Sequence, residues 1–556
     1  MQQAEELIQK FSNLKKARLP WEHDWQDISR VILPRREDWS EVANRAERIG
    51  TNIYDGTAMG AASILANGFT GYVLSPNVPW FRLSTEDPDM IDGVPGAREW
   101  LEHVEKIMYG EFRRSNLYEQ AIEFFRDGST IATATMYIEE SRRNGRLRFS
   151  TRHPKEIFIA ENDEGDVDTV FRRFHMTARA MAQKFGYEAL SDVAKNMAEN
   201  SPYETIPVIH GVYPREDRDV TKRNAKNKRY ASSYLEEDGK NILRESGYEQ
   251  IPYFTWRWTV NTDELYGRGP GHEVLSEVKK LNLMSKGMLR LTQMATDPPL
   301  NVPEEMRNRL QWSPGGRNYY NQPEMLVQPA QVASDFPVGF DREERIRQTI
   351  ESAYMTDFFL MLQRAPDRMT ATEVMERQAE KAAIMGPILG RLTTEFLNPL
   401  IKRSFSMLLR QRKVPPPPRA LVEMIGRGGE LKIEYLGPLA ESQKKFHTTK
   451  GIDQALVALQ PIAQYDPMAL DNIDWDEVTR QSLEGHGMPQ RALRDREQVE
   501  QIRQARNQAQ QQQQQMENAE KMGKAAEGLN QKKEPDSLID MLNNAANRAP
   551  ASGGDQ

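Results

Sequence analysis

The amino-acid sequence predicts a predominantly helical α+β protein. Three observations lead to this prediction. Apolar residues recur at helical spacing over much of the chain, β-branched alternating segments recur within residues 131–260, and 556 residues exceed what one hydrophobic core accommodates. Hydrophobic residues make up 38% of the chain and charged residues 28%, with a mean hydropathy of -0.72. So polar a composition predicts extended helices and a disordered segment in addition to packed cores.

Charge and cysteine content exclude several classes of protein. The 74 Lys and Arg residues against 81 Asp and Glu give a net charge of -7. Such a chain is unsuited to tight, sequence-independent DNA binding, which depends on displacing counterions, although weak sliding contact with DNA stays open. The absence of cysteine excludes disulfides, thiolate zinc sites and Cys nucleophiles, and it predicts folding in a reducing cytoplasm. No apolar run has the length of a membrane span or the pattern of a secretion signal, so we expect a soluble protein.

The first 266 residues combine helices with a β-rich centre. Apolar residues at spacings of three and four predict the helices, and alternating β-branched segments predict two hairpins and two further strands. The predicted helices cover 1–35, 56–71 and 97–127, the hairpins 131–151 and 156–176, and the strands 206–214 and 253–260.

Three local patterns mimic functional motifs. The acidic turn at Asn162–Gly165 fails as a calcium loop, because the first ligand position falls on Ala160, and a solvated turn is favoured. The cluster Gly267–Gly271 lacks the third glycine of a dinucleotide fingerprint, since His272 stands there, and the start of a helix is favoured. The basic run 220–230 is either a nucleic-acid patch or a solvated loop, of which the loop is favoured.

Two amphipathic helices then bracket a compact excursion. The first covers 267–298 and carries an apolar stripe beside a polar stripe that water or a polyanion can contact. Proline, glycine and asparagine predict a hairpin-containing excursion over 300–340. A second helix is expected to start at Asp341, with Glu344 as its capping-box partner. The cations of the first helix's polar stripe are Lys279, Lys286 and Arg290.

A loop and a kinked helix follow in RMTATEVMERQAEKAAIMGPILGRL (368–392). Thr370 and Glu373 have capping-box spacing, which predicts that a helix begins there and anchors the preceding loop. Proline has no N–H and its ring collides with a carbonyl one turn back, so the helix must bend at Gly386 and Pro387. The cations of the loop are Arg364 and Arg368.

The C-terminal part divides into a small lobe and a polar tail. Prolines 415–418 predict a stiff, extended linker and the clearest domain boundary. A smaller, mostly helical lobe is expected to about residue 495. The glutamine-rich segment 497–529 predicts a polar helix with no face to bury by itself, and the end of the chain is expected to be flexible.

The sequence predicts no catalytic site. HExxH, GxxxxGK[ST] and GxSxG motifs are absent, and the eight histidines are scattered. We therefore expect no catalytic residue, no metal site and no cofactor.

Five motifs in a shared order, spread over roughly residues 10–500, carry a family resemblance. They are LPWEHDWQDISRVILPRR, ASILANGFTGYVLSPNVPWFRL, DELYGRGPGHEVLSEVKKLNLM, RMTATEVMERQAEKAAIMGPILGRLTTEFLNPLI and IEYLGPLAESQK. With these motifs the chain resembles the head-to-tail connector (portal) proteins of short-tailed, T7-like bacteriophages. The glutamine-rich tail has no part in the resemblance.

The resemblance implies a portal fold that assembles into a ring, usually of twelve copies, around double-stranded DNA. The implied parts are a wing (1–266), a first stem helix (267–298), a clip (299–340), a second stem helix (341–361), a tunnel loop (362–370), a kinked wing helix (371–414), a crown (415–495), and a barrel helix with a flexible glutamine-rich tail (496–556).

The resemblance also implies a function, partners and a location. The ring would be a channel for DNA packaging and ejection at one capsid vertex, after assembly in the host cytoplasm. Its partners would be the terminase large subunit, tail adaptor and tail tube proteins, and the major capsid and scaffolding proteins, with no membrane. Arg364, Arg368, Lys279, Lys286 and Arg290 would contact the DNA backbone, and the alternative for each is an intersubunit or surface ion pair.

Two other classes of protein stay open at this point. One is another virion structural protein, such as a tail adaptor or scaffold without a DNA channel, which does not need two helices around an excursion. The other is a DNA-processing nuclease, which a magnesium-dependent cleavage assay on duplex DNA would reveal.

Overall fold

The computed structural model describes most of the chain in segments. The chain forms two compact units, residues 1–450 and 451–556. The described residues are 2–36, 52–85, 96–141, 143–219, 221–222, 224–296, 300–302, 336–363, 384–419, 421–422, 431–436, 473–485 and 496–530, with a few isolated positions between them. Helices and antiparallel sheets alternate in the first unit, so the predicted α+β class is confirmed.

Helices dominate the start of the first unit. The apolar spacing of residues 97–127 predicted buried faces, and Trp100, Val104, Met108 and Phe112 are indeed buried along one helix. Ala58, Ala61, Ala62 and Ala66 let another helix pack closely against its neighbours. These elements are α1 (Gln2–Val31), α2 (Thr57–Val73), β1 (Phe81–Thr85), α3 (Ala97–Arg114) and α4 (Leu117–Thr130).

Two antiparallel sheets follow, and both predicted hairpins are confirmed. Their strands are β2 (Thr133–Glu140), β3 (Leu147–Arg152), β4 (Ile157–Glu161), β5 (Val167–Thr177), β6 (Thr205–Pro214), β7 (Tyr230–Glu236), β8 (Asn241–Tyr248) and β9 (Tyr253–Arg257). The orders are β3-β2-β9 and β4-β5-β6-β7-β8. The β7–β8 hairpin was not predicted, nor were α5 (Ala178–Phe185) and α6 (Asp192–Asn200), which pack beside β5 and β6.

The basic run between β6 and β7 is a loop with one 3-10 turn, Ala225–Asn227, where the structure describes it. Lys222 pairs with Asp219 at 3.0 Å, and Lys226 pairs with Glu245 at 3.4 Å. The favoured interpretation as a solvated loop therefore holds for these residues, whose cations already have carboxylate partners.

The second half of the first unit is again mainly helical. Its elements are α7 (Pro270–Glu273), α8 (Leu275–Thr296), β10 (Leu300–Asn301), β11 (Gln328–Pro329), α9 (Phe336–Ala353), α10 (Thr356–Gln363), α11 (Gly386–Leu392), a π-helical stretch (Thr393–Leu397), α12 (Asn398–Arg410) and β12 (Leu431–Tyr435). β10 pairs antiparallel with β11, so the excursion between α8 and α9 contains a β ladder, as predicted.

The predicted start of the second helix is wrong. α9 begins at Phe336, so Asp341 and Glu344 lie inside the helix, where a D-x-x-E spacing places two side chains one turn apart instead of forming a cap. The helix also does not continue unbroken to 361. Met355 has φ 52°, a left-handed conformation that ends α9 before α10 begins.

The proline-rich segment does not separate two cores, which corrects the predicted linker boundary. Val414 and Leu421 on either side of it are buried in the first unit. Trp100 donates its indole N–H to the carbonyl of Pro415 at 3.0 Å. Beyond it, β12 pairs with β1, with Leu83 opposite Ile433. The chain divides into compact units later, between Lys450 and Gly451. The predicted boundary was wrong because an extended proline segment can lie along a core as well as leave it.

The second unit contains the predicted polar helix. α13 (Trp475–Gly485) and α14 (Arg496–Asn530) are its described helices, and the described side chains of α14 are almost all exposed. Arg503 of α14 makes a two-pronged ion pair with Asp476 of α13, at 2.6 and 2.5 Å. Among the described residues of both units, no helix is long and apolar enough to cross a membrane.

Candidate functional site

The paired helices α8 and α9 are packed at one end and exposed at the other. Val278 and Leu281 on α8 are buried, as are Ile346 and Ile350 on α9. Later on α8 the apolar side chains lose this cover. Leu283, Leu289 and Met294 are 70%, 49% and 44% exposed. Within the described residues, this part of α8 thus leaves apolar surface in water, which is typical of an interaction surface.

Polar contacts fix α8, α9 and the start of α2 against one another. Arg347 bonds Glu343 at 3.0 Å and Asp55 at 3.1 Å, and Ser285 donates to Glu343 at 3.3 Å. Burial by itself would raise the pKa of Asp55, but hydrogen bonds from Thr57 and Arg347 hold the pKa below its ordinary value. The carboxylate therefore stays charged and tied to Arg347 at neutral pH.

The three cations predicted on α8 lie in different environments. Lys279 forms an ion pair with Asp27 at 2.6 Å. Lys286 lies over the ring of Tyr54, 5.2 Å from its centroid. Arg290 is exposed, and the part of the chain that the structure describes offers it no ion-pair partner. The first two side chains are thus already engaged with the N-terminal segment, whereas Arg290 is available to an external anion.

The predicted loop residues lie mostly outside the described part of the chain. Arg364, Arg368, Thr370 and Glu373 fall within 364–383 and are not described. The pair at 386–387 is described: Gly386 begins α11 and Pro387 occupies its first turn, where a missing N–H is tolerated. A bend between this helix and the preceding residues stays a prediction.

The glycine cluster before α8 serves close backbone packing. A Cβ at Gly267 would lie 2.2 Å from the carbonyl oxygen of Ala132, and one at Gly271 would lie 2.1 Å from that of Thr130. Any side chain at these positions would collide with the backbone between α4 and β2. The cluster is thus explained by the junction of α7 with the sheet, in agreement with the predicted helix start.

A buried arginine that sequence reasoning missed joins the sheet to the π-helical stretch. Arg257 of β9 is 1% exposed, and its backbone N–H and guanidinium both donate to Glu395, at 2.8, 3.1 and 2.7 Å. The same guanidinium bonds Glu161 and the carbonyls of Leu265 and Gly165. No local sequence signal marks this contact, because Glu161, Gly165 and Glu395 are each more than 90 residues from Arg257 along the chain.

Another buried group, His210 of β6, bridges the two sheets. Its Nδ1 lies 2.7 Å from the hydroxyl of Tyr253 and its Nε2 lies 3.0 Å from that of Ser232. Burial, followed by nearby Lys184 and Arg172, lowers the pKa of His210 well below its ordinary value. The ring is therefore neutral and structural, and the described residues contain no group of three or more His, Asp or Glu that would hold a metal ion.

Comparison with known proteins identifies the class that these features define. The family described as bacteriophage head to tail connecting protein matches residues 4–493, and the chain belongs to this family. It is 36% identical to the portal protein of Salmonella phage epsilon15, over 89% of each chain. It is 30% identical to the probable portal protein of Bordetella phage BPP-1 over 84% of this chain and 85% of that one, and 20% identical to the portal protein of Escherichia phage T7 over 76% and 80%. The predicted resemblance is confirmed.

Proposed function

We propose that this head-tail connector assembles as a closed ring at one vertex of the capsid. The observation that supports a ring best is the exposed apolar end of α8, since Leu283, Leu289 and Met294 need a cover that the described chain does not supply. A ring places different surfaces of adjacent copies in contact, so one copy can cover the exposed helix of the next. Twelve copies is the number that the portal resemblance implies.

In this ring α8 and α9 surround a channel for double-stranded DNA. An overall charge of -7 suits a channel wall that must let a polyanion slide, with a few cations making contacts to the backbone only. The proposed contacts are Arg364, Arg368, Lys279, Lys286 and Arg290. Arg290 is the strongest candidate on α8, because Lys279 and Lys286 already contact Asp27 and Tyr54.

The remaining parts follow the portal plan. The wing is 1–266, the first stem helix 267–298 and the clip 299–335, which ends where α9 begins. The second stem helix is α9 (336–353) in place of 341–361, followed by α10 (356–363), the tunnel loop to 370 and the kinked wing helix 371–414. The crown lies beyond β12, to 495, because the prolines 415–418 and β12 pack in the first unit, and the barrel helix with its tail is 496–556. The role is structural, in the virion, after assembly in the host cytoplasm. The clip would dock the terminase large subunit and later the tail adaptor and tail tube proteins, and the wing would face the major capsid and scaffolding proteins.

Electron microscopy of the purified full chain tests the ring. We expect closed rings with a central hole wide enough for a duplex. Deletion of 300–335, which stops before α9 begins at Phe336, is expected to abolish docking of the motor or adaptor while rings persist. A preparation that contains only monomers, under conditions in which the virion assembles, would contradict the ring, and failure of the deletion variant to assemble at all would contradict the assignment of the clip.

The proposed DNA contacts are tested in infected cells. Replacing Arg364 and Arg368 by Ala is expected to lower DNA retention in the capsid while rings still assemble, and Arg290→Ala is expected to do the same. Lys226→Ala is the matched control, since this cation lies outside the proposed contacts, in the loop between β6 and β7, where it pairs with Glu245 at 3.4 Å. If packaged-genome length is unchanged in the arginine variants, these side chains do not contact the DNA.

A further inference from the structure

A small cavity opens on the surface of the first unit, between α2 and the junction of α9 with α10. Its volume is about 210 Å³. Its lining combines apolar Ala61, Ile64 and Leu360 with the carboxylates of Glu351 and Asp357, and it contains no cation. Small-molecule sites usually measure roughly 300–1,000 Å³, so this cavity is of a size for one side chain of a protein partner.

The cavity depends on a glycine. Gly60 lines it, and a Cβ added at Gly60 would meet no atom within 4 Å. A glycine inside a helix is destabilising by roughly 0.5–1 kcal/mol relative to alanine. Where no packing within the chain requires the glycine, this cost points to a contact with another molecule. At Gly60 the missing side chain instead leaves open space above the helix.

A surface of complementary shape and charge lies on α8. Lys280, Leu283 and Gly287 are spaced by three and four residues, so they lie on one face of the helix, the docking stripe. Leu283 is 70% exposed, the Lys280 side chain is 58% exposed, and a Cβ at Gly287 would meet nothing within 4 Å. The stripe thus presents one apolar side chain beside one cation, opposite in charge to the two carboxylates of the cavity.

The docking stripe and the cavity do not meet within one chain, since Leu283 is 70% exposed. α9 packs against α8 and also against α2 and α10, so it separates the two surfaces. The docking stripe also differs from the cation stripe of Lys279, Lys286 and Arg290. At about 100° per residue, the centres of the two stripes are about 70° apart around the helix. One helix can therefore direct Arg290 toward a bore and Leu283 toward a neighbour.

We propose that the cavity receives Leu283 from a second copy of this chain, with Lys280 of that copy facing Glu351 and Asp357. Two different surfaces that fit each other make a head-to-tail contact, which closes into a ring when repeated. The Lys280–Glu277 ion pair at 2.7 Å is exposed, and such pairs contribute little, so Lys280 can exchange partners on docking. The proposal rests on the proposed ring and specifies which surfaces form it.

Cysteine cross-linking tests the contact directly, because the chain contains no cysteine. The variant Leu283→Cys with Gly60→Cys is expected to give a ladder of disulfide-linked multimers on a non-reducing gel. Leu283→Cys with Gly71→Cys is the matched control: Gly71 is also open to 4 Å on α2, but eleven residues away, about 16 Å along the helix. Disulfides need Cα atoms within about 7 Å, so this control is expected to stay monomeric on the gel.

Filling the cavity tests its role in assembly. Gly60→Leu is expected to abolish rings without lowering the thermal midpoint of the monomer, whereas Gly71→Leu is expected to assemble like the wild type. A ladder from the Leu283/Gly60 cysteine pair supports the contact even if closed rings never form. The absence of closed rings would contradict only the proposed function. Wild-type rings without that ladder, or rings from Gly60→Leu, would overturn the contact and leave the ring proposal intact.

Discussion

Replacing Arg257 by methionine is expected to destabilise the first unit strongly. The guanidinium is 1% exposed and bonds Glu395, whose side chain is 12% exposed, so the substitution leaves this buried carboxylate with Arg391, at 3.1 Å, as its remaining cation. Removing one partner of a buried ion pair typically costs about 3–5 kcal/mol. At about 1.4 kcal/mol for each factor of ten, the ratio of folded to unfolded protein should fall by roughly two to three and a half orders of magnitude. The methionine side chain is similar in length to that of arginine, so the loss of stability reports the missing charge and hydrogen bonds more than a change in side-chain volume.

Urea unfolding followed by tryptophan fluorescence measures this loss. Trp256 and Trp258 flank Arg257 in the sequence and are buried, so their emission reports unfolding of the same region. Lys279→Met is the matched control, because the Lys279–Asp27 pair is nearly half exposed and its removal is expected to change stability by at most about 1 kcal/mol.

A second substitution separates two explanations. If the loss arises because the Glu395 carboxylate has lost its buried partner and keeps only Arg391, adding Glu395→Leu to Arg257→Met should recover part of the stability, since apolar replacement of a buried pair is often tolerated. A loss for Arg257→Met no larger than that of the control would refute the assigned role of this network.

Three further predictions concern packing and pH. Gly271→Ala is expected to reduce the yield of folded protein, because the added Cβ would lie 2.1 Å from the carbonyl oxygen of Thr130. Gly287→Ala is expected to raise the melting temperature, because the position is open and alanine favours the helix more than glycine does. Burial raises the pKa of Glu105 to about 7. The unfolded chain therefore loses this proton at a lower pH than the folded protein, and stability falls as pH rises from 4.5 through 7. Glu105→Gln should be more stable than the wild type at pH 8 but not at pH 4.5. The pKa of His210 is lowered, so the unfolded chain binds the extra proton and stability should fall below about pH 6.5 by up to about 1.4 kcal/mol per pH unit. Urea titrations across pH should show a shallower fall for His210→Gln, and an unchanged slope would contradict the assignment.

Local patterns predicted the elements whose signals are contained within a few turns or strands. The two predicted hairpins are present, and the buried residues of α3 and α8 are those at helical spacing. The β7–β8 hairpin was missed because Tyr230–Glu236 follows a basic run and carries three serine and alanine residues in place of a β-branched pattern. Those small residues are buried by neighbouring strands, which the local sequence does not reveal.

Two errors have one physical origin. The spacing of Asp341 and Glu344 occurs both at a helix start and inside a helix, and backbone hydrogen bonding extended α9 back to Phe336. Prolines 415–418 fix an extended backbone in any setting, whether it leaves a core or lies along one. In both cases the local preference was compatible with two structures, and packing selected between them.

The sequence by itself determined the α+β class, the paired helices around a β ladder, the polar C-terminal helix and membership of the connector family, because periodicity and ordered motifs are properties of the chain. Only the tertiary structure decided which charges are buried and which surfaces stay open. It joined Arg257 to Glu395 and Glu161, engaged Lys279 with Asp27, and left Leu283 and the Gly60 cavity exposed. These outcomes depend on residues distant in sequence approaching within a few ångströms, and no local spacing encodes that approach.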